Sequence, residues 1–293
     1  MKKFCGLIVF LLISLVVEAQ SVVTQVEGIF YQDESPVRVE MLDGKITRIT
    51  RIAELSEKSE KLYIGPGLID NQVNGYYGVS FIDMGEELTM EGIYKATKAL
   101  WKDGVTTYLP TLTTNKKEIY LKNLSLLAKA KDDPGIRGSI PGFHIEGPYI
   151  SPVDGYRGAH PLISVRKPDW EEFMEFYEAS EGNILQITVA PEVEGAMDFI
   201  SKLNEKGIVV AIGHHNASVD QIREAIDRGA KMSTHLGNGM ANSINRHRNP
   251  LWHNYLKTDL WLVLLQMVFT FNPNNSRFFI ELKEWKIRSL PQM

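Results

Sequence analysis

The chain has 293 residues, 44% of them hydrophobic and 23% charged, with a net charge of −4. This is the composition of an ordinary globular protein long enough to bury a full core, and the lack of any basic block excludes a nucleic-acid footprint. A single cysteine, Cys5, excludes a disulfide framework.

At the amino end Lys2 and Lys3 precede an apolar run at 6–17, and Val17-Glu18-Ala19 places small residues where a signal peptidase needs them. Residues 1–19 are therefore expected to be a signal peptide and the protein to be exported, periplasmic or secreted. The run is short for a membrane span, with an uncleaved anchor as the alternative. Cys5 lies early in the run and leaves with it, so any metal in the mature chain is expected to sit on histidine and carboxylate.

Residues 20–61 read as a small β appendage. VTQVEGIFYQ and VRVEML are strand runs, Asp43-Gly44 is a turn, and KITRITRI alternates with period two. From Leu62 the rhythm changes, because apolar strand-like runs alternate with amphipathic helical stretches, the pattern of βα units on a parallel sheet. Strands are predicted at 63–73, 106–111, 140–145, 184–189, 208–212 and 231–235, and helices at 89–102, 116–129, 168–180, 196–206 and 218–228. In the last helix Ser218 is the expected N-cap, Ile222, Ala225 and Ile226 make one face, and Gly229 terminates. Trp170, Phe173 and Tyr177, at helical spacing, are read as core. Six strands in this order predict an α/β fold: a (β/α)8-type TIM barrel over 62–252, incomplete, with about six of its eight strands.

Three of these runs end in residues of metal-ligand type. GFHIEGPY ends a strand in Glu146, IVVAIGHHNAS puts His214 at a strand end, and KMSTHLGNGM does the same for His235. Parallel strands joined by helices share one C-terminal rim, where barrel enzymes assemble sites from separate strands. One carboxylate and two imidazoles leave zinc an open position, where the pKa of water falls toward roughly 7, so metal-assisted hydrolysis is the expected chemistry. One such histidine alone is better read as a strand cap or a core pair; three converging residues in turn-rich contexts reverse that reading. Zinc suits the set, and iron, manganese and cobalt are also accepted by it. His215 points to the opposite face from His214 and is read as packing.

PGLIDNQVNG, GVTTYLPTL, GFHIEGPY, GAH, APE, GHHNAS and THLGNGM follow one another along the chain. With these motifs in this order, residues 28–252 resemble the N-acetylglucosamine-6-phosphate deacetylases of the amidohydrolase superfamily. The resemblance implies a barrel hydrolase that removes acetate from the acetamido group of a small amino sugar, and a homodimer. It gives the metal-ligand role to Glu146, His214 and His235. It gives the amino sugar to His160 of GAH and to the backbone around Asn238 and Gly239, and the phosphate, through a weaker match, to Arg248. Gln72 and Asn74 stand where many amidohydrolases have His-x-His, which argues against a two-metal site. NSINRHRNPLW departs from the family pattern, being longer and carrying His247 between two arginines, so a phosphorylated substrate is left open.

After Trp252 the family pattern stops. Residues 253–293 show neither the apolar strand ending in His nor the strand-end Asp that, by the resemblance, moves the proton to the leaving amine. Read one frame over, permitted codons for this stretch give both. Residues 253–293 are therefore expected to be an out-of-frame tail, the chain to lack its catalytic Asp, and the open sheet edge to reduce solubility and activity. Two other functions stay open: an exported amidohydrolase for another N-acyl amino sugar or amide, and a non-catalytic remnant that binds metal or sugar.

Overall fold

In the computed structural model, which describes residues 23–57, 59, 62–82, 86–239, 243 and 261–262, the first runs form the antiparallel strands β1 (Val23–Phe30), β2 (Pro36–Leu42) and β3 (Lys45–Arg51). The turn between β2 and β3 sits on Asp43 and Gly44 with φ of 51° and 75°, the left-handed pair that a two-residue hairpin requires. Ile46 and Ile49 are 62% and 56% exposed, so the alternation in β3 does not mark a buried face.

A short strand, β4 (Tyr63–Ile64), joins this sheet in parallel with β1. That corrects the expectation of one barrel strand over 63–73. Gly65-Pro66-Gly67 interrupts the run, since proline has no N–H for a ladder. Gly28 favours the pairing, because a Cβ there would lie 2.7 Å from the Leu62 carbonyl oxygen. The chain divides into two compact units, Met1–Pro66 and Gly67–Met293.

The second unit opens with β5 (Leu68–Val73) and a small hairpin, β6 (Gly75–Tyr76) and β7 (Val79–Ser80). Helix and strand then alternate: α1 (Met90–Lys102), β8 (Val105–Thr113), α2 (Lys117–Lys131), β9 (Phe143–Glu146), α3 (Trp170–Ala179) and β10 (Ile184–Val189). They continue with α4 (Ala196–Glu205), β11 (Val209–Ile212), α5 (Val219–Asp227), β12 (Ala230–Ser233) and β13 (Trp261–Leu262). The sheet order is β13-β12-β11-β10-β9-β8-β5, parallel throughout and sequential, the winding of a (β/α) barrel. Among the described residues it has two ends, so the barrel is incomplete as expected.

The strand count differs from the expected six. β13 comes from the stretch read as an aberrant tail, pairing Trp261 and Leu262 with Met232 and Ser233. The outer edge of β12 presents unpaired backbone groups, and an apolar pair can satisfy two of them whatever the origin of its codons. β9 begins at Phe143, not at Ile140, since Pro141 cannot donate and the first ladder bond is Phe143 N–H to the Asn183 carbonyl at 2.8 Å.

β9 is buried on both faces, as a strand covered by helices must be. Between sheet and helices an aromatic cluster fills the core, with Phe173 edge-on to Phe199 at 5.5 Å and Tyr120 against Phe176 at 4.8 Å. Ser218 caps α5 through a reciprocal box with Gln221. Ser218→Ala is expected to cost about 1 kcal/mol, read as a lowered denaturant midpoint with unchanged slope.

Candidate metal centre

Glu146 is the last residue of β9, and the turn behind it is held from below. Gly147 turns the chain with φ of 84°. Tyr149 is fully buried, edge-on to Phe199 at 5.1 Å, and its hydroxyl donates to Glu172 Oε2 at 2.8 Å. Arg166 donates from Nε to the same oxygen at 2.9 Å and from Nη1 to the Asn115 carbonyl at 3.1 Å. One half-buried ion pair thus ties the loops after β8 and β9 to α3.

His214 and His235 each stand two residues past their strand, after β11 and β12. Both lie on the left-handed side, with φ of 50° and 23°, a conformation uncommon outside glycine. The loops close over His214 through two glycines. A Cβ at Gly158 would come within 3.1 Å of its ring and one at Gly239 within 2.6 Å, so only a bare backbone can lie there.

Glu146, His214 and His235 each offer one ligand atom, all within 4.8 Å of one another, the one such group among the described residues. Glu146 Oε1 is 3.2 Å from His214 Nε2 and 2.8 Å from His235 Nε2, and the two nitrogens are 3.1 Å apart. The outer nitrogens fix the tautomers. His214 Nδ1 is 3.1 Å from the Tyr156 carbonyl and His235 Nδ1 is 3.2 Å from the Asn238 carbonyl. A carbonyl only accepts, so each Nδ1 carries hydrogen; the neutral ring then turns an Nε2 lone pair inward, and only the protonated ring also donates from Nε2 to Glu146. A carboxylate oxygen and two imidazole lone pairs facing one point is the donor set of a divalent cation site.

Burial opposes charge on Glu146, but hydrogen bonds and charge from His214 and His235 outweigh it and hold the carboxyl well below the usual range. Burial likewise disfavours a charged His235, and the hydrogen bond to Glu146 reverses this, raising its pKa above the ordinary 6.5. Beneath the site His144, pushed down to about 4 by burial, bonds Thr188 Oγ1 at 2.8 Å, which in turn meets Thr234 Oγ1 at 2.7 Å. His215 is buried and accepts from the Ala217 amide at 3.2 Å.

His160 also reaches the cluster, with Nε2 3.1 Å from His214 Nε2. The backbone at 238–239 is bound up with the cluster itself, as the acceptor for His235 and the floor under His214. Arg248, His247, residues 1–19 and most of 253–293 lie outside the described residues. Sequence reasoning missed Tyr156 and Thr114. The first acts through a carbonyl that every residue has, and the second stands 46 positions from His160, the imidazole it meets.

Residues 63–253 match the amidohydrolase family. The chain is 36% identical over 190 residues to the N-acetylglucosamine-6-phosphate deacetylase of Danio rerio and 37% identical over 194 residues to that of Caenorhabditis elegans, in each case 64% of this chain and 45% of the relative. The chain thus spans about half the length of the curated relatives it matches. It is similar to a mutant N-acetyl-D-glucosamine-6-phosphate deacetylase from Mycobacterium smegmatis solved in complex with N-acetyl-D-glucosamine-6-phosphate. The TM-score is 0.67 and the identity 27%, over 83% of this chain and 63% of that one.

Proposed function

The chain belongs to the amidohydrolase family, and from that premise we propose that Glu146, His214 and His235 hold one divalent metal ion in a site built to remove acetate from N-acetylglucosamine-6-phosphate. The observation that carries this reading is the inward convergence of one carboxylate oxygen and two imidazole lone pairs, each imidazole held from outside by a carbonyl. Zinc is the first choice for two histidines and a carboxylate; iron, manganese and cobalt are the alternatives. Bound there, a divalent ion supplies Lewis-acid polarisation of the amide carbonyl and hydroxide at neutral pH.

The protein's own part is binding and orientation. Glu146 brings negative charge to the ion, and the Tyr149–Glu172–Arg166 network holds the turn that carries it. His160 reaches the same cluster, its Nε2 3.1 Å from His214 Nε2, and is assigned to the amino sugar together with the backbone at Asn238 and Gly239. Arg248 is assigned to the phosphate. The relatives' names and the ligand of the similar structure support an amino-sugar substrate.

A second reading, an exported amidohydrolase for an unphosphorylated N-acyl sugar, is favoured by the signal-like residues 1–19 and by the altered stretch around Arg248. Acetate release from N-acetylglucosamine with and without the 6-phosphate separates the two. It is measured with zinc on this chain and on one whose codons after Trp252 are read in the neighbouring frame. The restored chain is expected to prefer the phosphorylated sugar, and the chain as it stands to be slower by roughly 10²–10⁴-fold, the usual contribution of a general acid–base group. A zinc-loaded, folded, restored chain that releases no acetate from either sugar overturns the proposal.

A further inference from the structure

His160 is held in the opposite sense from its two neighbours. Its Nδ1 lies 2.7 Å from Thr114 Oγ1 and 3.4 Å from the Thr114 backbone nitrogen. A backbone amide only donates, so Nδ1 is the acceptor and the ring hydrogen sits on Nε2, directed at His214 Nε2 3.1 Å away. Three imidazoles therefore meet in two tautomers. Carbonyls outside His214 and His235 turn lone pairs inward, while Thr114 outside His160 turns an N–H inward. Thr114 is itself buried, one residue past β8, and its hydroxyl fills the space left by the missing side chain of Gly147, where a Cβ would lie 2.2 Å from Oγ1.

We infer that Thr114 is a positioning residue that fixes His160 as a hydrogen-bond donor into the site and keeps it from serving as a further imidazole ligand. The inference deepens the metal-site reading and rests on it for its function, but the tautomer itself does not depend on an ion. With the Nε2 lone pair engaged by hydrogen, His160 cannot bind a cation. What it can do is donate to an oxygen of a bound sugar or amide. The consequence is a division of labour set from outside the rings: two imidazoles for the ion and one for the ligand.

The test is the side-chain nitrogen spectrum of the histidines in metal-free protein, with His160→Gln assigning the His160 signals. The full chain and Thr114→Ser are expected to show His160 protonated at Nε2 and bare at Nδ1. Thr114→Val keeps the shape and the backbone amide at 3.4 Å but removes the hydroxyl at 2.7 Å, the shorter of the two contacts, and is expected to weaken the tautomer preference, with a minority signal for hydrogen on Nδ1 appearing. The inference is overturned if the unmodified chain carries the His160 hydrogen on Nδ1, an outcome that needs no variant to fold. It is also overturned if folded Thr114→Val is indistinguishable from the unmodified chain. Zinc retention measured by dialysis on the same sample separates the two readings. Expected tautomers without zinc binding defeat the metal site alone, and zinc binding with the wrong tautomer defeats this inference alone.

Discussion

Glu146→Gln is expected to leave the fold intact and to abolish retention of the proposed ion. The residue is 1% exposed and is the one negatively charged member of the cluster, with the same oxygen near both imidazole nitrogens. Glutamine fills the same volume, and its amide can donate to an inward-facing Nε2, so no buried group is orphaned. The proposed ion, however, would lose the one anionic ligand of the cluster among the described residues. Removing an outer hydrogen-bond partner of a metal site costs roughly 10–100-fold in affinity, and losing a ligand outright is expected to exceed that range. Dialysis against zinc followed by elemental analysis reads the effect, with circular dichroism as the check on folding. Zinc held by Glu146→Gln as tightly as by the unmodified chain removes Glu146 from the ligand set.

Zinc itself is expected to raise the melting temperature, and to do so with a definite pH dependence. A ligand present at 100 times its Kd stabilises by about 2.7 kcal/mol, which for a unit of this size corresponds to roughly 5–10 °C. The His235 pKa is raised by Glu146. In the metal-free protein the proton on His235 therefore stabilises fully below the unfolded-state pKa of about 6.5, and this stabilisation is lost as pH rises through the raised folded value. An ion must displace that proton. Binding thus releases a proton below the raised pKa, and the zinc-induced shift shrinks as the pH is lowered from about 8 to about 6. Thermal scans with zinc and with chelator at both pH values, and titrations in two buffers of different protonation enthalpy, check both statements. A shift that grows on acidification contradicts them.

The helices were legible because their signals are local. Thr89 and Ser218 cap α1 and α5 where a polar residue precedes an apolar period, and Asp169 does the same for α3. The strand tips were legible for a similar reason: a buried apolar run followed by a ligand-type residue and a glycine or histidine turn locates Glu146, His214 and His235. Pairings decided by the absence of a side chain were not. β4 joins β1 across Gly28, and a glycine in a strand does not say what it lets approach. β13 was missed because its partner, the edge of β12, selects only for extended backbone. The orientation of the imidazoles was hidden too, since it is set by the carbonyls of Tyr156 and Asn238, a group that every residue carries, and by Thr114, 46 positions from His160.

The left-handed backbone under His214 and His235 also restricts what could ever replace them. Of the side chains able to bind a cation, histidine, aspartate and asparagine accept positive φ most readily. A thiol installed at either place would have to overcome main-chain strain as well as its shorter reach. These two turns therefore commit the rim to nitrogen and oxygen before any side-chain chemistry is chosen. Soft ions that depend on sulfur, such as cuprous copper, are therefore disfavoured at these two positions.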